Sequence, residues 1–209
     1  MTEPTDNNAG FGSYITGFTL NDRSHMPELS FQSYIRLVEP LAKEVEDETG
    51  IIHFVPLVQS SLESRAGNSQ LAKEYGNLFG FKATDWWKKQ GRPVANLPTW
   101  EIVNTDNPDK YKDFTPTVIE KYMDSGKQIY KLKIVVKEPF RIYDTWRDSF
   151  FDWGRLISTA KVYADAYKLL RRRETVREGV EKMALVYATD HKYATKLLQL
   201  YDKVDYGVA

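Results

Sequence analysis

Between Phe54 and Leu62 the chain sets Phe54, Leu57, Val58, Ser61 and Leu62 at positions i, i+3, i+4, i+7 and i+8. That spacing draws one continuous stripe down a helix and commits the helix to burial. Glu63 stands beside the end of the stripe, one turn after Gln59, and Gly67 is the expected helix stop. A core helix must therefore end with a carboxyl group partly withdrawn from water. The partial negative charge at a helix C-terminus disfavours an ionised carboxylate, and apolar neighbours push in the same direction by desolvating it. A glutamic acid that stays protonated near neutral pH can give its proton to a leaving-group oxygen. An ordinary rim glutamate has the same local pattern, so spacing alone leaves both readings open.

The rest of the chain organises around this helix. Residues 1–28 are rich in Asn, Gly, Ser, Thr and Asp and read as an N-terminal arm. Its apolar residues Phe11, Tyr14, Ile15, Phe18 and Leu20 offer contacts for docking to a larger assembly. A first helix is expected from Ser30 to Glu48, with Phe31, Tyr34, Ile35, Val38 and Leu41 on one face and Gly50 after it. Past Lys82 the texture changes: Trp86, Trp87 and Trp100 cluster with Pro93 and Pro98, and Ile129–Lys137 alternates apolar and polar as a strand does. Residues 105–128 are more than a tight hairpin needs. They read as a longer connection with a short helix of its own around Pro116–Met123. From Ser149 the spacing is helical again, through Phe150, Trp153, Leu156 and Ile157, then Val176, Val180 and Met183, then Tyr193, Leu197 and Tyr201.

Composition narrows the chemistry. With 209 residues, 42% hydrophobic and 13% aromatic, the chain can bury one good core. Lys plus Arg equals Asp plus Glu at 29 each, so no overall field draws in nucleic acid or an anionic membrane. The absence of cysteine excludes disulfides, thiolate metal sites and a thiol nucleophile. His25, His53 and His191 have no ligand spacing between them, and no cofactor is implied. No stretch approaches the roughly 20 apolar residues of a membrane span.

The run Gln59–Ala72, Q-S-S-L-E-S-R-A-G-N-S-Q-L-A, followed by N-L-F-G-F-K at Asn77–Lys82, resembles the signature of the glucosaminidase family of peptidoglycan hydrolases, glycoside hydrolase family 73. Two further blocks follow in the family's order. Phe140-Arg141-Ile142-Tyr143-Asp144 with Ser149-Phe150 is similar to its F-R-x-Y segment, and Tyr187-Ala188-Thr189-Asp190 with Tyr193-Ala194 to its Y-A-T-D-x-x-Y-A segment. One departure stands out: where the family reads L-E-S-G-W-G, this chain has Leu62-Glu63-Ser64-Arg65-Ala66-Gly67.

The resemblance implies a lysozyme-like α+β fold, mainly α, in which a helical domain carries a small β-hairpin lobe flanking the substrate groove. The catalytic domain would be residues 29–209, with an insertion around 105–128 where the family has a shorter connection. The implied activity is cleavage of the β-1,4 bond after N-acetylglucosamine in peptidoglycan, with glycan strands as partner and no cofactor. Glu63 would be the acid. Glycoside hydrolysis usually takes a second carboxylate, and Glu101 in Thr99-Trp100-Glu101 resembles the family's, with Glu120 and Asp106 as fallbacks. Tyr187 matches a family tyrosine and would orient the acetamido group or the attacking water. Gln59 would hold the acid's carboxyl group, Asn77 and Phe79 would line the floor, and Trp86, Trp87 and Tyr143 would stack on sugar rings. Arg65 either grips a substrate carboxylate or is plainly solvated. The N-terminus lacks a basic region followed by an apolar core, so the chain is expected to reach the wall by phage lysis, as a virion component or through a secretion machine. Muramidase or lytic transglycosylase chemistry on the same fold, and a non-catalytic wall-binding phage component, are the competing readings.

Overall fold

The computed structural model describes residues 26–205, so the arm, apart from its last three residues, lies outside the described residues, as does His25. Two compact units emerge. The first comprises the described residues up to Phe81 and from Ile142 onward, and the second is Lys82–Arg141.

The first unit is helical. Helix α1 spans Phe31–Thr49 between the Ser30 N-cap, whose hydroxyl accepts from the Ser33 amide, and Gly50 in the left-handed region with φ 73°. The expected face is the observed one, since Tyr34, Ile35, Val38 and Leu41 are buried, joined by Ala42 and Val45. Helix α2, Phe54–Ser64, departs from the expected single stripe. Val55 to Ser61 are buried in an unbroken run, while Phe54 and Leu62 are only half-buried. Packing against α1 and against the helices Trp146–Thr159 and Tyr193–Asp205 explains this, for a helix covered on several sides has no solvent face to keep polar. The remaining helices are α3 (Gln70–Tyr75), α5 (Trp146–Thr159), α6 (Ala164–Leu170), α7 (Val176–Tyr187) and α8 (Tyr193–Asp205). Helix α5 opens on a capping box, with Thr145 accepting from the Asp148 amide while the Asp148 carboxylate accepts from the Thr145 amide.

The second unit holds the short helix α4 (Asp85–Lys89) and a three-stranded antiparallel sheet in the order β1-β3-β2, formed by Val94–Thr105, Lys127–Arg141 and Thr117–Asp124. The hairpin expected from the sequence is thus widened by a strand. Residues 108–114 form a 3-10 turn, and the short helix expected around Pro116–Met123 is instead strand β2. Thr117, Val118, Ile119 and Tyr122 are β-branched or aromatic and pack on a pleated surface better than on a helix. The tight turn at Ser125-Gly126, both with positive φ, then returns the chain directly into β3.

Candidate active site

Glu63 occupies the last turn of α2, and the chain beyond it is tied down bond by bond. The Ser64 hydroxyl donates to the Ser60 carbonyl at 2.6 Å and accepts from the Gly67 amide at 2.7 Å, while the amides of Ala66 and Ser69 donate to the carbonyls of Ser61 and Ser64. Arg65, Ala66 and Gly67 all lie in the left-handed region, with φ of 54°, 52° and 77°. Gly67 has no freedom to be anything else: a Cβ there would come within 2.8 Å of the Trp146 ring and 3.0 Å of Tyr34. This turn stops α2 one residue after Glu63 and fixes where its carboxyl group points.

Glu63 itself is half-buried. Its Oε1 accepts from the Tyr193 hydroxyl at 2.5 Å. The Tyr193 oxygen accepts in turn from Gln59 Nε2 at 3.0 Å, and Gln59 Oε1 accepts from Trp153 Nε1 at 2.8 Å. Gln59 and Glu63, four residues apart on α2, present the same face, and Tyr193 bridges them. Burial pushes the Glu63 carboxyl above the ordinary glutamate range, and the Tyr193 hydrogen bond opposes that only in part. Burial also raises the Tyr193 hydroxyl, with the nearby Glu63 charge adding to it.

Tyr193 was not among the residues singled out for the site, although it lies in the Y-A-T-D-x-x-Y-A block. Asp190 sets its position as the first residue of α8. The Asp190 carboxylate accepts from the Lys192 amide and pairs with Lys196 at 2.7 Å, while its carbonyl accepts from the Tyr193 amide. The Lys196 hydrogen bond, with the Lys192 amide, holds Asp190 below the usual carboxylate range.

The other expected residues are distributed differently from the expectation. Gln59 holds the acid through Tyr193 and not by a direct bond. Tyr187 donates to the Phe79 carbonyl at 2.6 Å, and its ring stacks on Tyr193 with centroids 5.8 Å apart. Tyr187 is half-buried, and burial raises its hydroxyl pKa well above the ordinary range. Asn77 is buried with its amide spanning the loop, donating to the Phe81 carbonyl at 2.9 Å and accepting from the Phe81 amide at 3.0 Å. Phe79 is buried against Phe81, Phe150 and Trp153. Tyr143 is buried, donating to Asp152 at 2.6 Å. As placed, Gln59, Asn77, Phe79 and Tyr143 are at most 4% exposed. Phe79 lies among aromatic rings, and Gln59, Asn77 and Tyr143 direct their polar atoms into internal hydrogen bonds.

In the second unit, Trp86 is 48% exposed with Arg92 over its ring, whereas Trp87 is buried between Arg92 and Arg141. Glu101 lies mid-strand on β1 opposite Ile134, and Lys82 Nζ lies 3.1 Å from its carboxylate and 3.5 Å from that of Glu138. The fallback acids Glu120 and Asp106 are likewise paired, with Lys131 and Lys127. Arg65 is exposed. Among the described residues no cluster of His, Cys, Asp or Glu could hold a metal ion, and no helix is long and apolar enough to cross a membrane.

The model of a glucosaminidase family, described as mannosyl-glycoprotein endo-beta-N-acetylglucosaminidase, matches residues 39–206. The chain is 28% identical over 193 residues to the peptidoglycan hydrolase FlgJ of Vibrio parahaemolyticus, covering 89% of this chain and 52% of that protein. It is also 28% identical over 174 residues to a probable N-acetylmuramidase of Lactococcus lactis subsp. cremoris, covering 80% of this chain and 32% of that one. The chain thus spans about half or less of the length of these relatives. The catalytic domain of the autolysin Auto from Listeria monocytogenes has the same fold, with a TM-score of 0.59 at 20% identity over 90% of this chain and 92% of that domain.

Proposed function

We infer that this chain, which belongs to the glucosaminidase family, hydrolyses the β-1,4 glycosidic bond after N-acetylglucosamine in peptidoglycan, with Glu63 as the proton donor. The observation that carries this reading is the half-buried Glu63 carboxyl at the end of α2, held by Tyr193, with burial raising its pKa above the ordinary glutamate range. Names among the relatives point to the same polymer, since FlgJ is a peptidoglycan hydrolase and the Lactococcus protein a probable muramidase.

In this reading the Glu63 proton passes to the glycosidic oxygen as the bond to the anomeric carbon breaks. Water supplies the hydroxyl that completes the anomeric carbon and gives its other proton to the second carboxylate, and exchange with solvent restores both acids. Glu101 is assigned the second carboxylate's part in that attack. Tyr187 acts through its bond to the Phe79 carbonyl, which steadies the Phe79-Gly80 backbone beside the acid. The site of action is the bacterial cell wall, and delivery to it by a phage or a secretion machine is part of the same proposal.

The test is mass spectrometry of purified sacculi digested by the protein. Soluble fragments ending in reducing N-acetylglucosamine support the reading. Reducing N-acetylmuramic acid would move the cleavage to the neighbouring bond, 1,6-anhydro ends would make the enzyme a transglycosylase, and binding without release of fragments would make it a wall-binding protein.

A further inference from the structure

Trp153, Gln59, Tyr193 and Glu63 form a hydrogen-bonded line across three helices whose direction is set at one end. An indole N–H donates and cannot accept. The atom of Gln59 facing Trp153 Nε1 at 2.8 Å is therefore the amide oxygen, which turns the Gln59 NH2 toward Tyr193. With Gln59 donating to its oxygen, the Tyr193 hydroxyl has its proton left to place, and among the described residues its one acceptor is Glu63 Oε1. Every member is satisfied in this direction. Reversing it leaves the buried indole N–H without an acceptor, a cost of about 1–3 kcal/mol.

We infer that Tyr193, Gln59 and Trp153 are positioning residues that fix Glu63 Oε1 as a permanent acceptor and leave Oε2 as the oxygen that carries and delivers the proton. Oε2 lies on the side of Gly80, where a Cβ would stand 3.9 Å from it, so this oxygen faces a backbone without a side chain. The line also serves the step after delivery: once the proton has gone, the Tyr193 hydroxyl already points at the new carboxylate and stabilises it without reorganising. This rests on Glu63 being the proton donor and adds which of its oxygens acts and what holds it.

Within the first unit the titratable groups facing Glu63 are Tyr193 from α8 and Tyr187 from α7, and among the described residues no Lys, Arg or His lies in salt-bridge range of it. Neither tyrosine ionises in the working pH range, because burial raises both. The hydroxyl of Tyr193 is then the group through which Glu63 is tuned from outside its own helix.

The test is the titration of the Glu63 side-chain carboxyl carbon, followed by carbon-13 NMR in the full chain labelled at glutamate and assigned with Glu63→Gln. Tyr193→Phe keeps the ring and removes the hydroxyl, so Glu63 titrates at higher pH than in the wild type. Its kcat on sacculi falls about 10- to 100-fold, the loss of one charge-assisted hydrogen bond, with KM little changed. Gln59→Met keeps the volume, removes the amide and gives a smaller shift of the same sign. An unshifted Glu63 titration in folded Tyr193→Phe, or a downward shift in either variant, overturns the inference. The NMR readout does not depend on lysis, so a shift as expected alongside full activity in Glu63→Gln leaves the line standing and removes the proton-donor reading instead.

Discussion

Tyr187 and Tyr193 stack almost parallel, their planes 8° apart, yet their hydroxyls serve different ends: Tyr193 bonds the Glu63 carboxyl and Tyr187 the Phe79 backbone. They stand six positions apart in the chain, on either side of one loop. The pair joins the acid to the segment that runs past it, and removing either hydroxyl has its own signature.

Tyr187→Phe leaves the Phe79 carbonyl without its 2.6 Å donor. An unsatisfied buried acceptor costs about 1–3 kcal/mol, and a domain of this size loses about 2–4 °C of Tm per kcal/mol. Calorimetry should find a lower Tm, and carbon-13 NMR an unshifted Glu63 titration. A variant as stable as the wild type would mean that the Phe79 carbonyl finds another donor.

Arg65 adopts φ 54° as the residue that ends α2, and Gly67 follows two positions later with aromatic rings against its Cα. Left-handed backbone costs a side-chain-bearing residue about 1–2 kcal/mol, offset in part by the entropy that glycine loses on folding. Arg65→Gly should therefore stabilise by about 0.5–1 kcal/mol in urea unfolding. Gly67→Ala should destabilise, since it adds a clash to a strained φ. Equal midpoints for the two variants would contradict this account of the turn.

Burial raises the Glu63 pKa in the folded protein, so the folded state holds this proton more tightly than the unfolded chain does. Below about pH 4.5 both states are protonated and Glu63 costs nothing. As pH rises from there through the folded pKa, the wild type loses stability relative to Glu63→Gln, and above it the difference is constant. Paired unfolding curves from pH 4 to 8 should diverge in that sense. Parallel curves would place Glu63 in an environment no different from water.

Glu101 shares Lys82 with Glu138 on a half-exposed surface, an arrangement worth roughly 1 kcal/mol or less. Glu101→Gln should leave the Tm within a few degrees of the wild type. If Glu101 is the second carboxylate, kcat falls at least about 100-fold, whereas the same change at Glu120 or Asp106 leaves kcat unaltered. Activity lost at Glu120 and kept at Glu101 would transfer the role.

Local signals carried much of the fold. Ser30 and Gly50 bracket α1 because capping and the left-handed stop are short-range chemistry, and the end of α2 beside Glu63 follows from spacing and the turn after it. Strand β2 was not legible, since Thr117–Met123 carries no strict alternation and is exposed along its whole length. Its conformation comes from pairing with β3 after the Ser125-Gly126 turn. The role of Tyr193 was not legible for another reason. Its bond to Glu63 closes over 130 residues, and the one at Gln59 over 134, so no window of sequence contains both partners. The buried place of Phe79 likewise depends on Phe150 and Trp153, some seventy residues away in the chain, and the internal bonds of Asn77 and Tyr143 are not announced by amide or aromatic character alone.

The central claim is that Glu63 gives up the proton, and the direct measurement is the rate at which Glu63→Gln releases soluble fragments from purified sacculi beside the wild type. Glutamine keeps the acceptor for Tyr193 and removes only the acidic proton, so the variant should melt no lower than the wild type and release fragments at least about 100-fold more slowly. A folded Glu63→Gln that digests sacculi at the wild-type rate would contradict the account.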